Sequence, residues 1–332
     1  MLRKGEYRAI VGDCLKRNMT IYWLDFLITF GVLLVSAFYT VFADFGLLKV
    51  LSFSIAVLTA YRCASFIHEV VHLSTRDASQ KRFAWFWNMT FGVPFLSPSY
   101  LYNSHLEHHL LNKYGTVEDP EYAPLQKTGA LNCTWFVLEH AFSIPGKVVI
   151  HLLLNPFKRL MPAWLAERLH KSLYPFAINN DYQPSNRSKP KSAMDIWTMR
   201  LCTVMVYVYV VLFAGGILPI KILLTFACIV IVAMALNGVR TLVAHRYFNA
   251  ELETLSAQQQ LADSVNLTGI PPFLGELLAP VGLRFHALHH LFPDMPYHNL
   301  ARAHDLLMAA VPEDDTYRET NDGFFPALKK LV

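Results

Sequence analysis

Long apolar runs alternate with polar, histidine-bearing stretches along this chain. Four runs reach bilayer-spanning length, which is about 20 residues: Ile21 to Phe42, Phe45 to about Ile67, Trp197 to Leu218, and Ile220 to about Leu236. Little more than Ala43 and Asp44 separates the first two, and Gly215, Gly216 and Pro219 punctuate the second pair. The pattern therefore predicts two helical hairpins. The fourth run is short, so its helix is expected to continue past the hydrocarbon or to sit obliquely.

Two further stretches are apolar but broken. Phe83 to Leu101 is rich in Trp and Phe and is interrupted by Asn88, Gly92, Pro94 and Pro98. It reads as a segment anchored in the interface, where Trp is favoured. Leu131 to Leu154 contains Glu139, His140, Pro145, Lys147 and His151, and reads as an interfacial or amphipathic helix rather than a fifth span. Asn179 to Ser192 is linker-like and leads into the second hairpin. The expected architecture is an all-α, multi-pass integral membrane protein with four transmembrane helices in two hairpins and a cytoplasmic helical cap. It is read as one domain over 1–332: hairpin 21–67, cytoplasmic or interfacial stretch 68–196, hairpin 197–236, cap 237–332.

Composition agrees. The chain is 54% hydrophobic and 16% charged, against about 25% charged in soluble domains. The net charge of +4 matters less than its distribution. Lys49 and Lys221 are the only basic residues near the hairpin turns. The remainder lie in the N-terminus, in Arg62 to Arg200 and in Arg240 to Lys330. The positive-inside rule places those segments, with both termini, in the cytoplasm. Five cysteines are scattered without a C-x-x-C pair and read as small hydrophobes. No base-reading motif or groove-binding basic helix is present, so nucleic acid is not an expected partner.

The polar stretches carry the chemistry. Eight of the fourteen histidines fall in three clusters: His68-Glu69-Val70-Val71-His72, His105-Leu106-Glu107-His108-His109 and His286-Ala287-Leu288-His289-His290. Imidazole is the commonest protein metal ligand, and eight are too many for one ion. On a helix, His68 and His72 lie one turn apart on one face. His105 sits one turn from both His108 and His109, while that adjacent pair points about 100° apart and need not share an ion. The first cluster alone also fits H-E-x-x-H, the zinc hydrolase signature with Glu69 as base. That reading, a membrane zinc metalloprotease, leaves six cluster histidines unexplained. A non-enzymatic metal carrier is a third class.

The order H-x3-H, H-x2-HH, H-x2-HH, with hairpins between, resembles the membrane fatty acid desaturase and hydroxylase superfamily from about Leu51 to His304. The strongest local likeness is HALHHLFPDMPYHNL, His286 to Leu300. The resemblance implies two Fe ions held by the box histidines and O2 as co-substrate. It implies oxidation of a fatty acyl chain at the lipid bilayer, most simply desaturation. The alternatives are hydroxylation, acetylene formation or oxidative decarboxylation to a terminal alkene. It also implies a ninth ligand, at His245. Acyl-CoA desaturases often place Asn four residues before that histidine. Thr241 stands there, and Asn237 is the candidate in its stead. Glu69, Glu107, Asp263 and His298 are the further candidates for orienting the ligands. The chain carries no haem-binding H-P-G-G stretch and no G-x-G-x-x-G fingerprint, so electrons are expected from an external donor, a ferredoxin or a cytochrome b5 with its reductase.

Overall fold

The computed structural model describes residues 2–332 except Ser172, Asn180, Arg187 and Lys191, and describes Lys171 without its side chain. The last three of those four positions belong to the linker-like stretch and lie outside the described residues.

Helix dominates. Extended pairing among the described residues is confined to two short strands and two isolated bridges. Strands β1 (Asn266–Leu267) and β2 (Asn321–Asp322) run parallel, with Asn266 opposite Asn321 and Leu267 opposite Asp322. The bridges join His245 to Ser264 and Asn266 to Phe285.

Among the described residues, five helices are long and apolar enough to cross a membrane: Met19–Phe42, Leu47–His72, Ala130–Leu154 (which runs on through a 3-10 turn to Leu160), Ala193–Ala214 and Ile220–Leu242. The sequence pattern predicted four. The additional one is the helix expected to lie in the interface. Its polar residues are split: the Glu139 and Lys147 side chains remain partly exposed and face each other, but His140 and His151 are both buried. His140 packs where the fifth long helix carries Gly238. A Cβ at that position would meet His140 Cβ at 3.0 Å and Val137 Cα at 3.3 Å, so the absent side chain lets the two helices approach closely.

Local chemistry sets the ends of the hairpin helices. The Asn18 side chain accepts from Thr20 N–H at 3.0 Å and opens the first. Ser192 and Asp195 form a reciprocal capping box that opens the fourth. Lys49 Nζ donates to the Ala43 carbonyl just past the end of the first helix at 2.9 Å. Asp25, the one charge in the first apolar run, is held by Arg62 of the second helix, at 3.1 Å through Nε and 2.5 Å through a terminal nitrogen. Tyr297 O–H donates to the same carboxylate at 2.8 Å. Asp25 thus ties the hairpin to the segment after the third histidine box.

The Trp/Phe stretch is placed differently from the expectation. It forms the helix Ala78–Trp87 and a wide turn over Asn88–Gly92. Phe83, Trp87 and Phe91 are buried rather than anchored at a surface. Phe83 packs edge-on against Tyr22 and Phe26, with ring centroids 5.5 and 6.0 Å away. Trp87 Nε1 donates to the Cys63 carbonyl at 3.1 Å. An indole that finds a hydrogen-bond acceptor inside has no need of the interface.

Candidate metal centre

Four elements bring the histidines together. The second long helix continues unbroken through His68 and His72, its last turn. A 3-10 turn, Ser99–Tyr102, leads into the short helix His105–His108, with His109 at its C-cap. His245 follows the fifth long helix and is held extended by its bridge to Ser264. The helix His286–Leu291 carries the third cluster. His68 and His72 lie in the last turns of one long helix and His245 just past the end of another, so the site lies at the end of the bundle remote from the two tight turns.

Nine imidazoles converge there in two groups. His68, His72, His105, His109 and His289 form one, and His108, His245, His286 and His290 the other. Within each group, one nitrogen from every residue lies within 4.8 Å of the rest. Adjacent histidines are divided. His105 and His109 enter the first group and His108 the second, while His286 and His290 enter the second and His289 the first. The groups share a wall, with the His109 and His290 rings 4.6 Å apart.

The fit to metal ions rests on which nitrogens meet. Nε2 of His109 lies 2.9 Å from that of His105 and 3.0 Å from that of His289. In the other group, His245 Nε2 lies 3.2 Å from His108 Nε2 and 2.9 Å from His286 Nε2, and His286 lies 3.1 Å from His290. Ligand nitrogens about 2.1 Å from a shared ion stand about 3 Å apart at right angles. Both nitrogens of His68 and Nε2 of His72 are buried without a hydrogen-bond partner among the described residues. Leaving a buried imidazole unsatisfied costs about 1–3 kcal/mol, and a metal bond removes that cost.

Protonation suits the same role, since the neutral imidazole is the ligating form. Burial, reinforced by neighbouring imidazoles, holds His105, His109, His286, His289 and His290 well below the ordinary histidine range. His245 is lowered by burial. His108 differs: burial pulls it down, but the Asp119 carboxylate outweighs that and raises it.

The Nδ1 atoms show what orients the rings. His108 Nδ1 meets both oxygens of Asp119 at 2.8 and 2.9 Å. Asp119 is itself completely buried and accepts from Gly115 and Glu121 N–H. His105 Nδ1 meets Glu121 at 2.8 Å, a carboxyl that burial pushes up to about 7. His245 Nδ1 meets Tyr114 O–H at 2.8 Å, and that hydroxyl also lies 2.8 Å from Asp263. Each contact favours a tautomer that turns Nε2 inward.

Of the carboxylates singled out from sequence, Asp263 thus reaches the site through Tyr114. Glu69 accepts from Tyr22 O–H and, at 3.4 Å, from Tyr297 N–H. Glu107 binds Lys113 and Ser185, both at 2.6 Å. His298 Nε2 accepts from Asn18 N–H at 3.2 Å, and Asn237 accepts from Arg240. None of these side-chain contacts of the four residues involves a clustered histidine. Asp119, Glu121 and Tyr114 were missed. They follow the second box in a stretch without helical or strand periodicity, and the acidic run Glu118-Asp119-Pro120-Glu121 was the one available signal.

A mostly helical chain with membrane-length apolar helices, gathering nine imidazoles into two adjoining groups that could each hold an ion, defines a histidine-rich membrane protein. The fatty acid desaturase family profile matches residues 45–321. A ceramide hydroxylase of Caulobacter vibrioides (strain NA1000 / CB15N) is 35% identical over 333 residues, covering 97% of this chain and 91% of that protein. No solved structure matches the chain. The chain belongs to the fatty acid desaturase family and is an oxidoreductase.

Proposed function

We propose that the protein is an O2-dependent lipid hydroxylase with two iron ions, acting on a ceramide-class lipid. The observation that carries this is the five-plus-four convergence of imidazole nitrogens, read together with near-full-length similarity to a ceramide hydroxylase. In this reading all nine histidines are iron ligands. The boxes and both termini face the cytoplasm, where a separate ferredoxin or cytochrome b5 system supplies electrons. The basic character of that side suits an acidic donor.

A bound iron pair would supply the oxidising chemistry: one atom of O2 enters a C–H bond and the other leaves as water, using two electrons and two protons from outside. The chain's own residues supply the rest. Asp119, Glu121 and the Tyr114–Asp263 pair hold three rings in the ligating tautomer. Burial of the imidazoles keeps bulk water away from the reacting carbon. The hairpins bring the lipid to the site from the bilayer, where positioning decides the product.

Desaturation is the second reading, favoured by the family to which the chain belongs and by its third box. Expression with a competent donor system, followed by mass spectrometry of the lipids, separates the two. Ceramides that gain one oxygen atom, absent from a His286→Ala control, support hydroxylation. Loss of two hydrogens supports desaturation. Unchanged lipids under aerobic conditions would sink both.

A further inference from the structure

Beside His68 lies a cavity of about 70 Å3, between the second and fifth long helices, with Tyr102, Asn237 and Arg240 among its other lining residues. Arg240 is only 8% exposed. One terminal nitrogen donates to Asn237 Oδ1 at 3.1 Å. Its buried Nε has no partner among the described residues. The charge is faced by Tyr61, Tyr102, Tyr247 and Glu121. The carboxylate in that set is already engaged, Oε1 by His105 and Oε2 by Tyr102. A buried guanidinium with an unused donor is costly unless something completes it. Here the guanidinium belongs to a residue lining a cavity that also reaches a clustered histidine.

We propose that Arg240, steadied by Asn237, is the polar anchor of the lipid substrate. It would receive the carbonyl or carboxylate oxygen of the lipid head in this cavity and so set which carbon lies against the histidine groups. The inference rests on the lipid-oxidation reading. The planar fork of donors suits an sp2 oxygen better than a lysine would. A space of about 70 Å3 holds a polar group of a few heavy atoms, not an acyl chain. The oxidised carbon is therefore close to the head, and the remaining chain must leave along the apolar helices.

The test compares wild type, Arg240→Gln and Arg240→Lys as purified, metal-loaded proteins in detergent. Binding is measured for a ceramide, a free fatty acid of matching chain length and an alkane without a head, and the position of oxidation is read by mass spectrometry. Metal content is expected to be the same in all three proteins. Arg240→Gln should weaken binding of a headed lipid by at least about tenfold, as the loss of a charge-assisted hydrogen bond implies, and should scatter the oxidised position. Alkane binding should not change, and Arg240→Lys should fall between. Whichever headed lipid depends on Arg240 identifies the head as amide or carboxylate. Equal weakening for all three ligands, unchanged binding with a single wild-type product, or loss of metal from both variants would each overturn the anchor. If wild type binds headed lipids through Arg240 yet oxidises none of them with a working donor, the oxidation reading fails and the anchor stands.

Discussion

The two histidine groups share a wall but are built differently. The five-imidazole group takes His68 and His72 from the last turn of a long apolar helix, and of its members only His105 has a carboxylate on Nδ1. The four-imidazole group takes nothing from the first hairpin. Two of its members are oriented from behind, His108 by fully buried Asp119 and His245 by Tyr114 and Asp263. One group is positioned by the bundle and the other by a hydrogen-bonded polar layer. Under the di-iron reading, four imidazoles also leave more open positions on an ion than five do, which marks that side as the more accessible to O2.

The largest expected effect follows from removing a ligand on either side. His286→Ala leaves three imidazoles in the smaller group, and His72→Ala leaves four in the larger. Both should abolish lipid oxidation. Metal analysis of the purified proteins should show His286→Ala falling to about one ion per chain, with His72→Ala retaining more, because a four-imidazole set still suffices for tight binding. If His286→Ala kept both its metal content and its product, the smaller group would not be a metal site.

A smaller effect is expected from the groups behind the ligands. Asp119→Ala should weaken metal binding to the four-imidazole group by about 10–100-fold, the usual range for an outer partner of a ligating histidine. Glu121→Gln should cost less. Its carboxyl, pushed up to about 7, is already partly neutral near neutral pH and supplies less charge to His105. Competition titration with a chelator would order the two. Equal losses would mean that the contrast in support between the groups has no energetic content.

The long apolar helices and the three boxes were legible in the sequence because they have local signatures, apolar runs of spanning length and i,i+4 spacing, whereas His245 came only from the family resemblance. Even the division of adjacent histidines followed from the 100° step of a helix. Apart from Asp263, the orienting residues were not legible, for the same reason. Glu69 and Glu107 neighbour clustered histidines in sequence, and one residue along a helix turns a side chain to another face. Glu69 reaches Tyr22 and Glu107 reaches Lys113. The carboxylates that meet the rings, Asp119 and Glu121, sit in a loop that only tertiary contacts place. The third long helix misled for a related reason: His140 and His151 looked wet but are enclosed, His140 against Gly238 far along the chain.

Glu69 gives the smallest expected effect and the sharpest separation of chemistries. In an H-E-x-x-H hydrolase this residue is the general base, and replacing it costs about 10²–10⁴ in rate. Here its carboxylate accepts from Tyr22 O–H and Tyr297 N–H, two groups from the first hairpin and from the segment beyond the third box. Its place is structural: it joins the helix that supplies His68 and His72 to the first long helix and to the segment beyond the third box. Glu69→Gln keeps an acceptor for both donors and loses only the charge, so stability should fall by no more than about 1.5 kcal/mol. Lipid oxidation per bound metal should be unchanged. Thermal unfolding in detergent and turnover normalised to metal content check the two halves separately. A loss of rate by orders of magnitude with metal content intact would put a proton-transferring carboxylate beside the larger group, and the contrast between a bundle-positioned and a polar-layer-positioned half would have to be redrawn.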